Sequence, residues 1–298
     1  FLNTALQLLH TVTPFREMLE AVASYVDESS FTFLVWSIFE KMKTGATITK
    51  KDTYELVAKL IKSRKGVISK SGHVAQQDSF EYLGFLMDEI NQEIITLNPD
   101  YCPWLPSPLF QIFGMRTVES NICDRGQSHY QSQPNIRSFL NTQLIKEIPA
   151  SKGTISIRNL IMNQFIDDQY DVILSGHTKD CKYRKHYQVT QMPSYLLVSL
   201  RKFDDYQSGL KNPTKVKFYA DKSSPLDLTE LNRPADDRVE PAKYEIVGIA
   251  VHESLQNSGT GGHCTYTPFS SIYLFFLFIY RLCIRIIGYK ASYLVDCE

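Results

Sequence analysis

Four prolines fall within residues 99–108 (PDYCPWLPSP), and the hydrophobic pattern before them differs from the pattern after them. Proline fixes φ and donates no backbone hydrogen bond, so a run this dense ends regular structure. On its N-terminal side, apolar residues recur at spacings of three and four, as in a helix buried along one face. Leu2, Ala5, Leu8, Leu9 and Val12 follow that spacing. Thr13 and Pro14 interrupt it, and Phe15, Met18, Leu19, Val22 and Tyr25 then share one face of residues 15–25. Residues 31–42 and 53–61 are further amphipathic stretches. Residues 77–95 predict the clearest helix: Asp78 caps its start with Glu81 three residues on, and Phe80, Leu83, Met87 and Ile90 come in helical register.

On the C-terminal side the pattern turns strand-like. Residues 154–157 alternate. YLLVSL at 195–200 is a short apolar run bounded by Pro193 and Arg201, as expected of a buried strand. Residues 216–219 and 244–251 (YEIVGIAV) are two more, separated by a polar, proline-containing loop at 232–241. Helices first and strands later predict an α+β protein, a helical lobe packed on a mainly antiparallel sheet. At 298 residues the chain is long enough to bury a sizeable core.

Charge and cysteine content exclude some classes. Thirty-two Lys plus Arg balance 32 Asp plus Glu, which argues against binding nucleic acid through bulk charge. Residues 59–70 carry five Lys or Arg, read as a solvated face. Six cysteines, none in a CxxC pair, are too sparse for a disulfide scaffold and read as reduced thiols of a cytoplasmic or nuclear protein. No basic segment leading into an apolar core opens the chain, so no signal peptide is expected. It begins with Phe1 rather than Met, as a fragment would. The apolar run IYLFFLFIY at 272–280 is nine residues long, whereas a spanning helix needs about 20. It reads instead as a buried strand or an irregular tail.

The chemistry concentrates at residues 244–267, YEIVGIAVHESLQNSGTGGHCTYT. A strand ends near His252, a Ser/Asn/Gly-rich loop comes next, and Gly261 and Gly262 lead into His263. Paired glycines permit close backbone approach to a ligand, and histidine is the usual general base near neutral pH. Taken alone, His263 reads sooner as a loop residue of an ordinary β-hairpin than as a catalytic base. Residues 76–91 (QQDSFEYLGFLMDEIN) and 193–204 (PSYLLVSLRKFD) read locally as a capped helix and a core strand with a charged turn.

In this order, the three stretches resemble the ubiquitin-specific protease family of cysteine deubiquitinases. Gln77-Asp78-Ser79-Phe80-Glu81-Tyr82-Leu83 is similar to the family's Gln-Asp-Ala-x-Glu-Phe-Leu helix start. Pro193 through Leu200-Arg201-Lys202-Phe203 is similar to its Pro-x-x-Leu…Leu-Lys-Arg-Phe strand. His252 and Gly262-His263-Cys264 are similar to its His strand and Gly-His-Tyr, and Leu226-Asp227-Leu228 stands where the family has Leu-Asp-Leu. The resemblance spans residues 1–267 and implies a papain-like hand: a helical thumb at about 1–104, a fingers sheet at about 105–192 and a palm at 193–267. Residues 268–298 fit no family pattern and read as a divergent C-terminal segment.

The resemblance also implies the chemistry. Phe1-Leu2-Asn3-Thr4-Ala5-Leu6-Gln7 aligns with the seven residues after the nucleophile in Asn-Thr-Cys-Tyr-Met-Asn-Ser-x-Leu-Gln. The catalytic cysteine is therefore expected just before Phe1, and the chain as written is expected to be inactive. A thiol at a helix N-terminus beside a histidine has its pKa lowered from about 8.5 towards roughly 3.5–7.5. Ubiquitin is the implied partner, with Gln77, Asp78, His252, Gly261 and Gly262 lining the slot for its C-terminal tail. His263 is the implied catalytic base.

The family places an Asp or Asn after that histidine, but here the sole downstream Asp is Asp296, thirty-three residues on. Cys264 stands where the family has Tyr. It is excluded as nucleophile because adjacent strand residues face opposite ways. Cys123 and Cys181 each lack the CxxC mate of the family's fingers zinc site, and an incomplete tetrahedral set implies that no metal is held. No cofactor is expected. The competing expectations are a catalytically dead ubiquitin-binding scaffold and, more remotely, a variant tethered to membrane by residues 272–287.

Overall fold

The computed structural model describes residues 2–63, 79–97, 107–123, 128–131, 135–137, 140–143, 154–165, 168–170, 183–201, 215–217, 224–231, 241–254, 262–268 and 282–288. They divide into two compact units. The first comprises Phe1–Ile112, Gly248–Gln256 and Gly261–Ile279; the second comprises Phe113–Val247, Asn257–Thr260 and Tyr280–Glu298.

The first unit is built on helices α1 (Leu2–His10), α2 (Thr13–Ala23), α3 (Phe31–Thr44), α4 (Lys50–Ser63), α5 (Ser79–Leu97) and the short α6 (Pro108–Phe113). The helical periodicity becomes a core. Leu6, Leu8 and Leu9 of α1, Phe15 and Leu19 of α2, Val35, Ile38 and Phe39 of α3, Leu56 and Leu60 of α4, and Leu83, Leu86, Met87 and Ile90 of α5 are all buried. Each such side chain contributes about 1.5–3 kcal/mol relative to exposure. α1 packs on α2 and α5, and α3 on α2, α4 and α5.

Thr13 and Pro14 belong to the first turn of α2 instead of forming a break ahead of it, because proline in a first turn forfeits no hydrogen bond the helix would make. Tyr25, expected on the buried face, lies beyond the helix end and is 75% exposed.

The ends of α3 are specified by side chains. The Ser30 hydroxyl accepts from the Phe33 amide at 3.0 Å. Gly45, at φ 70°, closes the helix in the left-handed conformation that glycine adopts without strain, and the Ala46 amide donates back to the Lys41 carbonyl at 2.9 Å. A third contributor comes from far along the chain. The Glu93 carboxylate of α5 accepts from the Phe31 amide (2.9 Å), the Thr32 amide (2.8 Å) and the Thr32 hydroxyl (2.8 Å). Lys59 Nζ lies 3.4 Å from the same carboxylate and 4.7 Å from the centroid of the Phe31 ring. At the start of α4 the Asp52 carboxylate accepts from the Thr49 amide and hydroxyl at 2.8 and 2.9 Å and pairs with Lys41. The bond from Lys41 first, and those from Thr49 after it, hold its pKa down at about 2.

The second unit carries most of the sheet. β1 (Met115–Cys123) pairs antiparallel with β2 (Ser128–Gln131), β3 (Asn135–Arg137) and β7 (Tyr183–Gln191), and β7 in turn with β6 (Asp168–Tyr170). A second sheet has the order β10-β11-β13-β8-β4, in which β4 is Leu140–Gln143, β8 Tyr195–Arg201, β10 Leu226–Asp227, β11 Lys243–Ser254 and β13 Leu282–Gly288. β13 runs antiparallel to β8, and β4 parallel to it. β5 (Thr154–Ser156) pairs parallel with β9 (Lys215–Lys217), and the expected strand at 154–157 gives way at Ile157 to a helix, α7 (Ile157–Met162), capped by Ser156. The buried Tyr244 hydroxyl donates to the Pro193 carbonyl at 2.9 Å, tying the start of β11 to the connection before β8.

β11 continues into the first unit, where Gly248–Ser254 pairs antiparallel with β12 (Gly262–Pro268).

Candidate active site

The site is built from α1, β12 and the part of β11 from Gly248 onward, all in the first unit. β11 and β12 are joined in the register Val251↔Thr265, His252↔Cys264, Glu253↔His263 and Ser254↔Gly262. β12 also packs beside α1. The strand expected to end near His252 therefore runs two residues further, and His263 begins a strand rather than standing in a loop. His263 and Cys264 are consecutive on β12, the arrangement on which the exclusion of Cys264 as nucleophile rests.

α1 brings the electrostatics. Six of its nine residues (Leu2, Thr4, Ala5, Leu6, Leu8 and Leu9) are buried, so the helix is held firmly where its N-terminus sits. Its first turn carries no acidic residue. The partial positive charge of about half an elementary unit at that end is thus not offset by a carboxylate of the helix itself, and it favours an anion placed there. His10, at the other end, has its pKa lowered from 6.5 by burial first and by Arg16 second, against an opposing effect of Glu40.

Of the residues singled out in the sequence, the fold places His252, Gly262 and His263 on adjoining strands, with His252 at the register position of Cys264 and Gly262 at that of Ser254. Gln77, Asp78, Gly261 and Asp296 lie outside the described residues. The acidic residue directly across from His263, Glu253, carries no motif signal; only the strand register identifies it.

Among the described residues, no group of three or more His, Cys, Asp or Glu is placed to hold a metal ion. Cys123 ends β1 opposite Tyr183, and Cys181 lies outside the described residues. Among the described residues, no helix is long and apolar enough to cross a membrane.

A family model described as ubiquitin carboxyl-terminal hydrolase matches residues 1–272. The fold is similar to solved structures of SAGA deubiquitinating modules. One is a Ubp8/Sgf11/Sus1/Sgf73 DUB module bound to ubiquitin aldehyde, with 15% identity and a TM-score of 0.69, covering 96% of this chain and 67% of that one. A second is a SAGA DUB module bound to monoubiquitin, with 14% identity and a TM-score of 0.68, covering 97% and 66%. A third is a yeast SAGA DUB module, with 13% identity and a TM-score of 0.67, covering 97% and 66%. The chain thus spans about two thirds of the length of these structural relatives. No curated protein matches it at a significant level.

Proposed function

The chain belongs to the ubiquitin carboxyl-terminal hydrolase family, whose papain-like α+β fold it shares, and from that membership we propose that its parent protein is a thiol-dependent deubiquitinase. The observation that carries this reading is the packing of α1 beside β12. That packing brings the helix that comes after the family nucleophile next to the strand that begins Gly262-His263. We assign residues 1–104, 105–192 and 193–267 to thumb, fingers and palm, and place the protein in the cytoplasm or nucleus.

The nucleophile is the residue just before Phe1 in the parent. Its thiolate is stabilised by the α1 dipole and by the protonated imidazole of His263. The thiolate attacks the carbonyl carbon of the glycine that links ubiquitin to a lysine. The carbon–nitrogen bond breaks, and His263 gives its proton to the leaving amine. Water, deprotonated by His263, then hydrolyses the thioester, releasing the ubiquitin carboxylate and regenerating the thiol. Ubiquitin's tail lies along Gln77, Asp78, His252, Gly261 and Gly262, the acid pairing with its cationic side chain and the glycines admitting its slim end. Asp296 is the sequence-derived candidate for the residue that orients His263.

The test is turnover of a fluorogenic ubiquitin C-terminal substrate by the parent domain, including the residues before Phe1. His263→Ala lowers kcat by about 10³-fold or more. Unchanged turnover would overturn the reading. A ubiquitin-binding scaffold without activity is the second reading, favoured by Cys264 in place of the family's Tyr. Any residue but cysteine before Phe1 would decide for it.

A further inference from the structure

The register of the β11–β12 pair puts Glu253 directly opposite His263. Directly opposed residues of an antiparallel pair share one face of the sheet, with Cβ atoms about 4.5–5.5 Å apart. A carboxylic acid at the register position opposite a catalytic histidine is the residue type that such an imidazole needs. Such a carboxylate accepts a hydrogen bond from one ring N–H, fixes the tautomer, and stabilises the imidazolium formed when the thiol ionises. The pairing is the last but one of the ladder, which runs in continuous register from Gly248↔Pro268 to Ser254↔Gly262. Glu253 is therefore placed by seven consecutive backbone pairs rather than by a loop.

We propose that Glu253 is the positioning residue for His263, taking the role for which the sequence offers only the remote Asp296. This rests on the deubiquitinase reading for its catalytic meaning, but the Glu253–His263 pairing stands on the register alone. The other titratable groups on the elements beside His263 are His252, Glu245, Lys243 and Tyr244 on β11, Cys264 and Tyr266 on β12, and His10 on α1. The other acid among them, Glu245, lies eight residues from Glu253 along β11, so on these elements Glu253 alone stands opposite the histidine.

Two measurements separate this proposal from the reading beneath it. The first needs no turnover. The His263 imidazole is titrated by NMR in residues 1–298, its signal identified by its loss in H263Q. Removing a carboxylate partner takes away a stabiliser of the protonated ring, so the midpoint falls by about 1 pH unit in E253Q and stays put in D296N. Should E253Q fail to fold by circular dichroism, E253T, suited to a strand, is titrated in its place with the same expectation. A midpoint that is unmoved by the Glu253 change, or that moves only in D296N, overturns the proposal.

The second measurement uses the parent domain with its upstream residues. E253Q lowers kcat about 10–100-fold with KM within about twofold, and E253D recovers part of the loss. The alkaline limb of the kcat/KM profile, where the imidazolium loses its proton, moves to lower pH with the His263 midpoint. A midpoint that moves while H263Q leaves turnover intact keeps the pair, overturns its catalytic role and overturns the deubiquitinase reading with it. A midpoint that does not move overturns Glu253 while leaving that reading untouched.

Discussion

His10 shows how single side chains in this protein set its response to pH. It closes α1 with its ring edge-on to Phe39, centroids 5.1 Å apart. A histidine in the last turn of a helix usually gains from the dipole, by about 0.3–1 kcal/mol for the charged form. Here burial outweighs that gain and lowers the pKa below 6.5. The unfolded chain therefore takes up the proton first as the pH falls. Above about pH 6.5 both states are neutral at this site and it contributes no pH dependence. Below that value the folded state loses stability until its own lower pKa is passed. Urea unfolding at pH 7.5, 6.5 and 5.5 should show a decline that a His10→Leu variant lacks; an equal decline in both would exclude His10 as its source. His263 teaches the complementary lesson. Its identity is legible in the Gly-Gly-His pattern, but its neighbour Glu253 is not. Cross-strand opposition depends on a register that the sequence of one strand does not carry.

At the scale of elements, α3 is the most heavily specified helix, and its N-terminus is completed by α5. Glu93 satisfies the first two backbone donors of α3 and the Thr32 hydroxyl in one partly buried carboxylate. Glu93→Ala leaves those donors without an acceptor and removes a negative charge from the positive end of the helix. We expect a loss of about 2–4 kcal/mol, read as a lowered urea midpoint at unchanged slope. Glu93→Gln, which keeps one acceptor, should lose less; a neutral Glu93→Ala would mean water replaces the cap. The long amphipathic helices are readable because their apolar spacing repeats over several turns. Ser30 and Gly45 give α3 its start and stop. β1 and β7 escape a reading by pattern because MRTVESNIC and YRKHYQVTQ are largely polar and show no sustained apolar alternation, although Met115, Thr117 and Val189 are buried once the two strands pair. α7 escapes it because six residues are too few to display a period.

At the scale of the molecule, the segment that fits no family pattern supplies an interior strand. β13 lies between β11 and β8, matched to β8 through Cys283↔Ser199, Ile284↔Val198 and Ile286↔Leu196. Residues 272–281, within the apolar run and just after it, lie outside the described residues. A protein ending at residue 281 should lose its cooperative thermal transition or become insoluble, since two sheet edges would lie open. A melting curve matching that of residues 1–298 would show β13 to be dispensable. The order of the strands in this sheet has a consequence for synthesis on the ribosome. β8 and β11 emerge from the exit tunnel well before the strand that separates them, and until it arrives each offers a bare row of amides and carbonyls to any nascent chain nearby. A polypeptide built this way is open to edge-to-edge association with its neighbours on the polysome for as long as those last residues remain unmade.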